Sequence, residues 1–258
     1  RNFLQTYSSV IKNGFISSKY KRRFFANIRV VYDFGICSFK GKIRQSGDWP
    51  DHIKIQEGKP IRSLDVRLVD GNIVNAVRFK LLIPETRYNY NEILGTLILK
   101  KLGFIAPETF QVLTEVNGNK SVMLFQEKAV KELLERNYRR EGPIFEGDET
   151  LLWGYKDYNL LELGNVSLSK LINENWFLKG ENHQHITLKA SQKLQKAYLD
   201  HINNFLKTKT VIYPNSQKNE DFTNYHLLIE SMNGQHALAP HNRKFYYNVY
   251  SNYFEPIY

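Results

Sequence analysis

The sequence has little of what defines disulfide-rich secreted domains and membrane proteins. Cys37 is its single cysteine, which excludes an internal disulfide framework and leaves the redox compartment open. No apolar run reaches the roughly 18 residues that a membrane-spanning helix needs, so no membrane span is expected. Aromatic residues are plentiful instead. They make up 14% of the chain, with 16 Tyr and 16 Phe, and argue against disorder.

Acidic residues are almost absent from the N-terminal part of the chain. Residues 1–45 hold ten Lys or Arg and one acid, Asp33, whereas residues 46–258 hold 26 basic and 25 acidic side chains. The net charge of +10 is thus concentrated at one end, unlike that of a uniformly basic nucleic-acid binder. The cluster KYKRRFF at 19–25 is either a contact for an anionic polymer or a solvated face, and we favour the solvated face. A nucleic-acid partner is not expected.

The first half of the chain shows the alternation and the turn signals of β-strands. Strands are predicted at 27–39, 41–47, 61–71, 72–84, 108–116 and 120–128. Asn117-Gly118 is a hairpin signal between the last two of them. One helix is inserted at 89–103, with an apolar face and a stop at Gly103. The predicted apolar face consists of Ile93, Leu94, Leu97 and Ile98.

The second half of the chain reads mainly as helix. Apolar residues at helical spacing predict helices at 128–140, 168–178, 187–208 and 219–232. An acidic loop at 142–149 follows the first of these, and residues 244–258 alternate as a hairpin does.

A β-rich half with one inserted helix, followed by a helical half, is the organisation of protein kinases. Lys80 lies on the strand before the helix and suits a phosphate ligand, and Glu92 in the first helical turn suits its partner. Asn242, in the stretch HALAPHNRKFYYN at 236–248, suits a metal ligand. Each residue also has a simpler interpretation: a solvated lysine, a carboxylate stabilised by the helix dipole, and a turn residue. No Gly-x-Gly-x-x-Gly loop or Walker A motif is present, so a standard kinase is excluded by pattern.

Three segments carry a resemblance to a known family. They are FKLLIPETRYNYNEILGTLILKKLGFIAPETFQVLTEVNG at 79–118, LFQEKAVKELLERNYRREGPIFEGDE at 124–149 and HALAPHNRKFYYNVYSNYFEPIY at 236–258. On these residues the chain resembles the CotH family of spore-coat proteins, which have an atypical protein-kinase-like fold. The resemblance covers roughly two thirds of the chain, with a less familiar helical insert near 150–220.

The resemblance implies transfer of phosphate from ATP to Ser or Thr of a protein substrate, assisted by Mg²⁺. It places Lys80 or Arg67 at the ATP phosphates, and the choice between the two stays open. It makes Glu92 the helix partner, puts Glu127 near the nucleotide and makes Asn242 a metal ligand. A spore-coat or cell-surface location fits the resemblance, but the residues themselves fix neither the compartment nor the oligomeric state.

Two positions depart from the family pattern. Ala237 stands where many members carry an Asp that orients the substrate hydroxyl. His236 or His241 then takes the role of proton acceptor, or both are simply loop residues held by backbone hydrogen bonds. The family pattern also continues beyond Tyr258 to a metal-binding Asp, so we expect the sequence to be truncated there.

Two further clusters suggest metal or substrate contacts. His183-Gln184-His185 has the spacing of a metal pair on a strand, but no third ligand is evident and a polar loop is favoured. The acidic cluster at 145–149 suits a cation or a basic substrate segment, and a solvated loop is favoured for it as well.

Taken together, these features predict an α+β protein with a two-lobed, protein-kinase-like fold. A β-rich N-lobe with one inserted helix is expected at about 24–128 and a mainly helical C-lobe with a helical insert at about 129–258. The leading hypothesis for function is a CotH-type protein kinase. The rival hypothesis is a kinase-shaped coat or surface protein that binds partners without transferring phosphate.

Overall fold

The computed structural model describes residues 20–148, 169–203, 216–239 and 241–258, together with residues 7, 10 and 14–17. The chain divides into two compact units. Unit 1 comprises Arg1–Thr96 and Pro107–Lys128, and unit 2 comprises Leu97–Ala106 and Ala129–Tyr258. No helix in these ranges is long and apolar enough to cross a membrane, as the sequence led us to expect.

Unit 1 is built on a six-stranded antiparallel sheet and a separate two-stranded hairpin. Its strands are β1 (Phe24–Tyr32), β2 (Gly35–Gln45), β3 (Ile53–Gln56), β4 (Lys59–Arg62), β5 (Leu64–Leu68), β6 (Arg78–Leu82), β7 (Thr109–Val116) and β8 (Asn119–Glu127). Six of them pair in the order β1-β2-β5-β6-β8-β7, while β3 and β4 form a separate hairpin. The predicted hairpin between β7 and β8 is confirmed, since Asn117 and Gly118 have φ of 52° and 81° and Val116 faces Asn119.

The two faces of this sheet differ because side chains alternate along every strand. One face is apolar and forms the core of unit 1, centred on Leu64, Val66, Phe79 and Phe125. Phe125 stacks on both Phe79 and Phe110, with ring centroids 4.6 Å apart in each pair. Because apolar residues occupy every second position of β5 and β6, the register of both strands is fixed, and the intervening residues must face the other way.

A buried polar network anchors the connection between β2 and β3. His52 Nδ1 lies 2.9 Å from the Ser63 hydroxyl, which also accepts the Ile83 backbone N–H at 3.0 Å. Burial lowers the pKa of His52 to about 4, so the ring is neutral at pH 7. Gly47, with φ of 83°, lies so close to this ring that a side chain at that position would overlap it.

The predicted helix is present as α1 (Tyr90–Lys101), and Gly103 follows it with φ of 84°, the left-handed conformation common after helix ends. Its buried face differs from the predicted one. Leu94 and Leu97 are 58% and 55% exposed, whereas Thr96 and Leu99 are buried. Helical periodicity alone therefore gave the helix but misplaced its apolar face.

Unit 2 combines helices with a second sheet. Its elements are α2 (Lys131–Arg136), β9 (Ile144–Gly147), β10 (Ser169–Leu171), α3 (Glu174–Phe177), α4 (Glu181–Asn203), α5 (Ser216–Ser231), β11 (Lys244–Asn248) and β12 (Tyr253–Ile257). The four strands pair in the order β10-β9-β11-β12, so the predicted C-terminal hairpin is confirmed and belongs to a larger sheet. Ala190 and Leu194 of α4 pack on Phe145, Phe245 and Phe254 of that sheet.

The predicted two-lobed, kinase-like fold with a mainly helical C-lobe is wrong. The part of the chain that the structure describes is 36% strand and 34% helix, with five α-helices and a six-stranded antiparallel sheet. The error arose in short segments, where strand and helix patterns are hard to distinguish. Residues 168–178, predicted as helix, contain β10 and the four-residue α3, and the acidic loop predicted at 142–149 contains β9. Residues 150–168 and 204–215 of the predicted insert near 150–220 lie outside the described residues.

The turn between β5 and β6 contains a strained residue. Ile73 and Ala76 exchange two backbone hydrogen bonds of 3.0 and 2.9 Å around Val74 and Asn75, whose φ values are 52° and 57°. A left-handed conformation suits Asn but is a genuine outlier for a β-branched residue such as Val74.

Val74→Asn is therefore expected to stabilise the protein by about 1 kcal/mol, because it relieves this strain. Chemical denaturation of the variant, monitored by fluorescence, measures the change. The matched control is Asn75→Val, which places a second β-branched residue in the same turn and is expected to destabilise it. Equal stability of Val74→Asn and the parent protein would contradict the assignment of strain to Val74.

Candidate phosphate-binding face

The face of the unit 1 sheet opposite the apolar core carries a row of polar side chains. Strand pairing places Arg44 beside Asp65, Asp65 beside Lys80, and Lys80 beside Gln126. Residues directly opposite in an antiparallel pair project to the same side of the sheet. These four side chains therefore line one face across β2, β5, β6 and β8.

A second row runs parallel to the first, two residues along each strand. Lys42 pairs with Arg67, Arg67 pairs with Arg78, and the Lys128 backbone N–H donates to the Arg78 carbonyl at 3.0 Å. With Arg23, which precedes β1, the two rows bring seven basic side chains to this side of the sheet. We call them the basic face: Arg23, Lys42, Arg44, Arg67, Arg78, Lys80 and Lys128.

Asp65 is the carboxylate around which the basic face is organised. It is 2% exposed and accepts hydrogen bonds from three cations in different parts of the sequence. Arg23 Nη2 donates to Oδ1 at 3.1 Å, Arg44 donates to Oδ2 at 3.2 and 3.3 Å, and Lys128 Nζ donates to Oδ2 at 3.0 Å. Burial alone would raise the pKa of Asp65, but Lys128, Arg44 and Arg23 together hold that pKa well below its ordinary value.

Basic residues outnumber acidic ones along the two rows. Six basic residues and one acid, Asp65, occupy these positions, and the two oxygens of Asp65 accept hydrogen bonds from Arg23, Arg44 and Lys128. Arg67 is exposed, and Lys42, Arg78 and Lys80 are half-buried. A cluster of one sign on a single surface attracts ligands of the opposite sign, and guanidinium groups match the geometry of phosphate oxygens. The arrangement is suited to binding a phosphate-rich anion.

The two alternatives for the phosphate ligand, Lys80 and Arg67, lie close together here, and Glu92, the expected helix partner, contacts a neighbour of Lys80. Arg67 and Lys80 are diagonal neighbours on the basic face, since Arg67 pairs with Arg78 and Lys80 with Asp65. Gln126, beside Lys80, donates a hydrogen bond to Glu92 of α1. Glu127 is not part of this group. It pairs with Phe79 on the apolar side, is 4% exposed, and accepts the Glu108 backbone N–H at 3.3 Å.

The predicted catalytic loop lies in unit 2 and forms a hydrogen-bonded turn. The loop begins with a short 3-10 turn at Gln235–Leu238. The Asn242 amide nitrogen donates to the His236 carbonyl at 3.0 Å and lies 3.2 Å from His236 Nε2. His236 and His241 approach each other edge to face, with ring centroids 6.2 Å apart. Asn242 thus positions this loop before β11, with its amide oxygen as the group suited to a metal.

Ala237, at the position where the resemblance suggests an Asp, packs with apolar neighbours. It contacts the buried cluster that includes Leu99, Tyr225 and Ile229. Beside this cluster, burial lowers the pKa of His226 to about 4, and Arg243 contributes in the same direction. His226 is consequently a neutral side chain of the interior.

The two other candidate clusters have structural explanations. His183 and His185 lie in α4 rather than on a strand, and the His183 ring packs edge-on against Trp176 at 4.4 Å. The prediction that these two histidines lie on a strand, at the spacing of a metal pair, is therefore wrong. In the acidic cluster, Glu146 pairs with Lys244 at 3.2 Å. Asp148 pairs with Lys170 at 3.4 Å. Among the residues that the structure describes, no group of three or more His, Cys, Asp or Glu is placed to hold a metal ion.

Most of the basic face escaped sequence reasoning. Asp65, Arg44, Arg78 and Lys128 gave no motif, although charged residues at every second position of LDVRL and of VRFK were a usable signal. What a single sequence lacks is the register that brings these residues side by side. Neither a protein-family model nor a curated protein matches the chain.

Asp65→Asn is expected to destabilise the protein by roughly 2 kcal/mol at pH 7, because it leaves three cations close together without their shared carboxylate. The loss is smaller than for a fully buried pair since the cations are 30–38% exposed. Denaturant unfolding of the variant beside Asp33→Asn, an exposed turn residue, provides the measurement.

The pH dependence of this difference follows from the lowered pKa of Asp65. The ionised carboxylate stabilises the folded state above the unfolded-state pKa of about 3.9, and this stabilisation is lost as pH falls through the folded-state pKa. The stability difference between parent and Asp65→Asn should therefore shrink below about pH 4. A difference that is constant down to pH 2 would show that Asp65 acts through packing rather than charge.

Proposed function

We propose that the chain binds the triphosphate of ATP on the basic face of unit 1 and transfers the terminal phosphoryl group to Ser or Thr of a protein. The observation that carries the proposal is the arrangement of the basic face. Its two cross-strand rows, together with Arg23, place seven basic side chains around one buried carboxylate. The resemblance to the CotH family supplies the reaction class. The kinase-like fold expected with that resemblance is not part of the proposal.

A triphosphate fits the basic face in charge and in extent. Neighbouring strands lie about 4.8 Å apart, so cations on β2, β5 and β6 meet an elongated polyanion at successive points. Arg67 and Arg78 offer planar guanidinium groups for paired hydrogen bonds to phosphate oxygens, and Lys80 offers a compact charge. Before the triphosphate binds, the carboxylate of Asp65 reduces the repulsion between the cations that surround it.

Mg²⁺ supplies charge neutralisation on the phosphate oxygens when it is bound, and it usually keeps phosphate and water ligands beside one or two protein groups. Both oxygens of Asp65 are engaged by cations, so this carboxylate does not suit a metal. Asn242 is the residue that the resemblance assigns to the metal, through its amide oxygen.

In the transfer itself the hydroxyl oxygen of Ser or Thr forms a bond to the γ-phosphorus. The bond between that phosphorus and the β–γ bridging oxygen breaks, and ADP leaves. The hydroxyl proton needs an acceptor, and since Ala237 stands where the resemblance suggests an Asp, we assign this role to His236 or His241. A neutral imidazole is a competent base near pH 7.

A second candidate function, ATP binding without phosphoryl transfer, is favoured by the loop at 236–242. The Asn242 amide closes that turn onto His236, and Ala237 packs into the apolar interior. Both residues then serve the local structure, and the chain is a nucleotide-dependent binding protein.

Lys80→Ala and Arg67→Ala are each expected to weaken ATP binding about tenfold, the effect of losing roughly 1.4 kcal/mol of charged hydrogen bonding. Isothermal titration of Mg·ATP measures the affinity, with adenosine as the ligand that lacks phosphates. Lys59→Ala is the matched control because Lys59 is an exposed lysine of unit 1 on β4, outside the basic face. Unchanged affinity in both face variants would exclude the basic face as the phosphate site.

Transfer of label from γ-labelled ATP distinguishes the two candidates. Incorporation into the chain itself or into dephosphorylated casein, lowered at least tenfold by Asn242→Ala while ATP affinity is retained, supports the kinase. Tight ATP binding without incorporation into either acceptor supports the binding protein.

A further inference from the structure

Within the described ranges of the chain, strand β1 is an edge of the unit 1 sheet and pairs with β2 alone. The pairing is uninterrupted over nine residues, from Phe24 opposite Ile43 to Tyr32 opposite Gly35. It contains no proline, no glycine and no bulge, which are the usual devices that protect an exposed edge. A strand of this kind is a template for another extended chain.

The direction of the backbone groups along β1 follows from the hydrogen bonds of β2. The Lys40 carbonyl accepts the Val69 N–H at 2.8 Å, and the Lys40 N–H donates to Asp70 Oδ1 at 2.8 Å. Lys40 thus directs both groups away from β1, and its neighbours Phe39 and Gly41 direct theirs toward it, since orientation alternates along a strand.

Phe39 pairs with Ile28 and Gly41 with Ala26, so the even-numbered residues of β1 bond to β2. The odd-numbered residues Phe25, Asn27, Arg29 and Val31 therefore direct their N–H and C=O groups outward from the sheet. Among the described residues, none forms a hydrogen bond with these outward backbone groups.

The side chains along this edge combine exposed apolar groups with positive charge. Phe25 and Val31 are 78% and 77% exposed. Arg22, Arg23 and Arg29 lie on or just before β1, where no acidic residue occurs between Tyr20 and Tyr32. Arg29 lies on one face of β1, and Ile28 and Val30 lie on the other. An added strand with acidic side chains on the first face and apolar side chains on the second would match this edge.

We propose that β1 is a docking edge for an extended acidic segment of a partner protein, which adds as a seventh strand beside Phe25–Val31. The contact uses the outward backbone groups of β1 for affinity and the arginines for selection of acidic partners. A second copy of the chain is the poorer occupant, because this segment carries three arginines and no acid, so that pairing it with itself brings like charges together. The proposal does not depend on ATP binding.

Asn27→Pro provides a direct test. It removes one outward N–H, and because Ala26 and Ile28 rather than Asn27 bond to β2, the ladder with β2 stays intact. Asn27→Ala is the matched control, since it loses the same side chain and keeps the N–H. The probe is a fluorescein-labelled nine-residue peptide of alternating Glu and Val, with alternating Lys and Val as its counterpart, measured by fluorescence anisotropy without nucleotide.

The acidic peptide is expected to bind the parent protein and Asn27→Ala at least tenfold more tightly than the basic peptide does. It should bind Asn27→Pro at least tenfold more weakly than it binds Asn27→Ala. Arg29→Glu keeps every backbone group and should weaken binding of the acidic peptide by a similar factor. This variant replaces Asn27→Pro in the test if Asn27→Pro fails to fold. Equal binding by Asn27→Pro and Asn27→Ala would overturn the proposal. Equal affinity for the acidic and the basic peptide would also overturn it. A third contrary result is that oligothymidylate displaces the acidic peptide and binds Asn27→Pro as tightly as the parent protein.

Discussion

The buried carboxylate of Asp65 is the interaction on which the electrostatics of unit 1 depends. It joins Arg23 before β1, Arg44 on β2 and Lys128 after β8, three segments far apart in the sequence. It holds three of the seven cations of the basic face in place, on the side of the sheet opposite the buried Leu64 and Val66. One buried carboxylate thus stabilises a face rich in basic side chains within the folded sheet.

The two faces of the sheet are consequences of a single pattern. In LDVRL on β5, Leu64, Val66 and Leu68 enter the core, and Asp65 and Arg67 are directed to the basic face. A one-residue slip in register would exchange the two sets, which the cost of burying cations forbids. The stacked aromatic core of Phe79, Phe110 and Phe125 and the ion cluster around Asp65 therefore specify the same register from opposite sides.

Sequence reasoning succeeded where a local signal decides the structure and failed where register or distant contacts decide it. Asn117-Gly118 gave its hairpin and Gly103 the end of α1, because both depend on backbone conformations that few residues adopt. The sheet of unit 2 was missed because β9 and β10 are only four and three residues long, and because β9 pairs with β11, about a hundred positions away. Lys80 and Glu92 were found through the order of elements expected of a kinase and Arg67 through the family resemblance, whereas Asp65 and Arg78 required the strand pairing to be known.

The most direct test of phosphate binding on the basic face observes the NMR signals of its arginine side chains. In a ¹⁵N NMR titration with Mg·ATP, the Nε–Hε signals of Arg67 and Arg78 should shift and saturate together. Those of Arg62 on β4 and Arg87 after β6, which lie outside the basic face of the same unit, should stay in place. Shifts of equal size at all four arginines, or none at Arg67 and Arg78, would contradict the account.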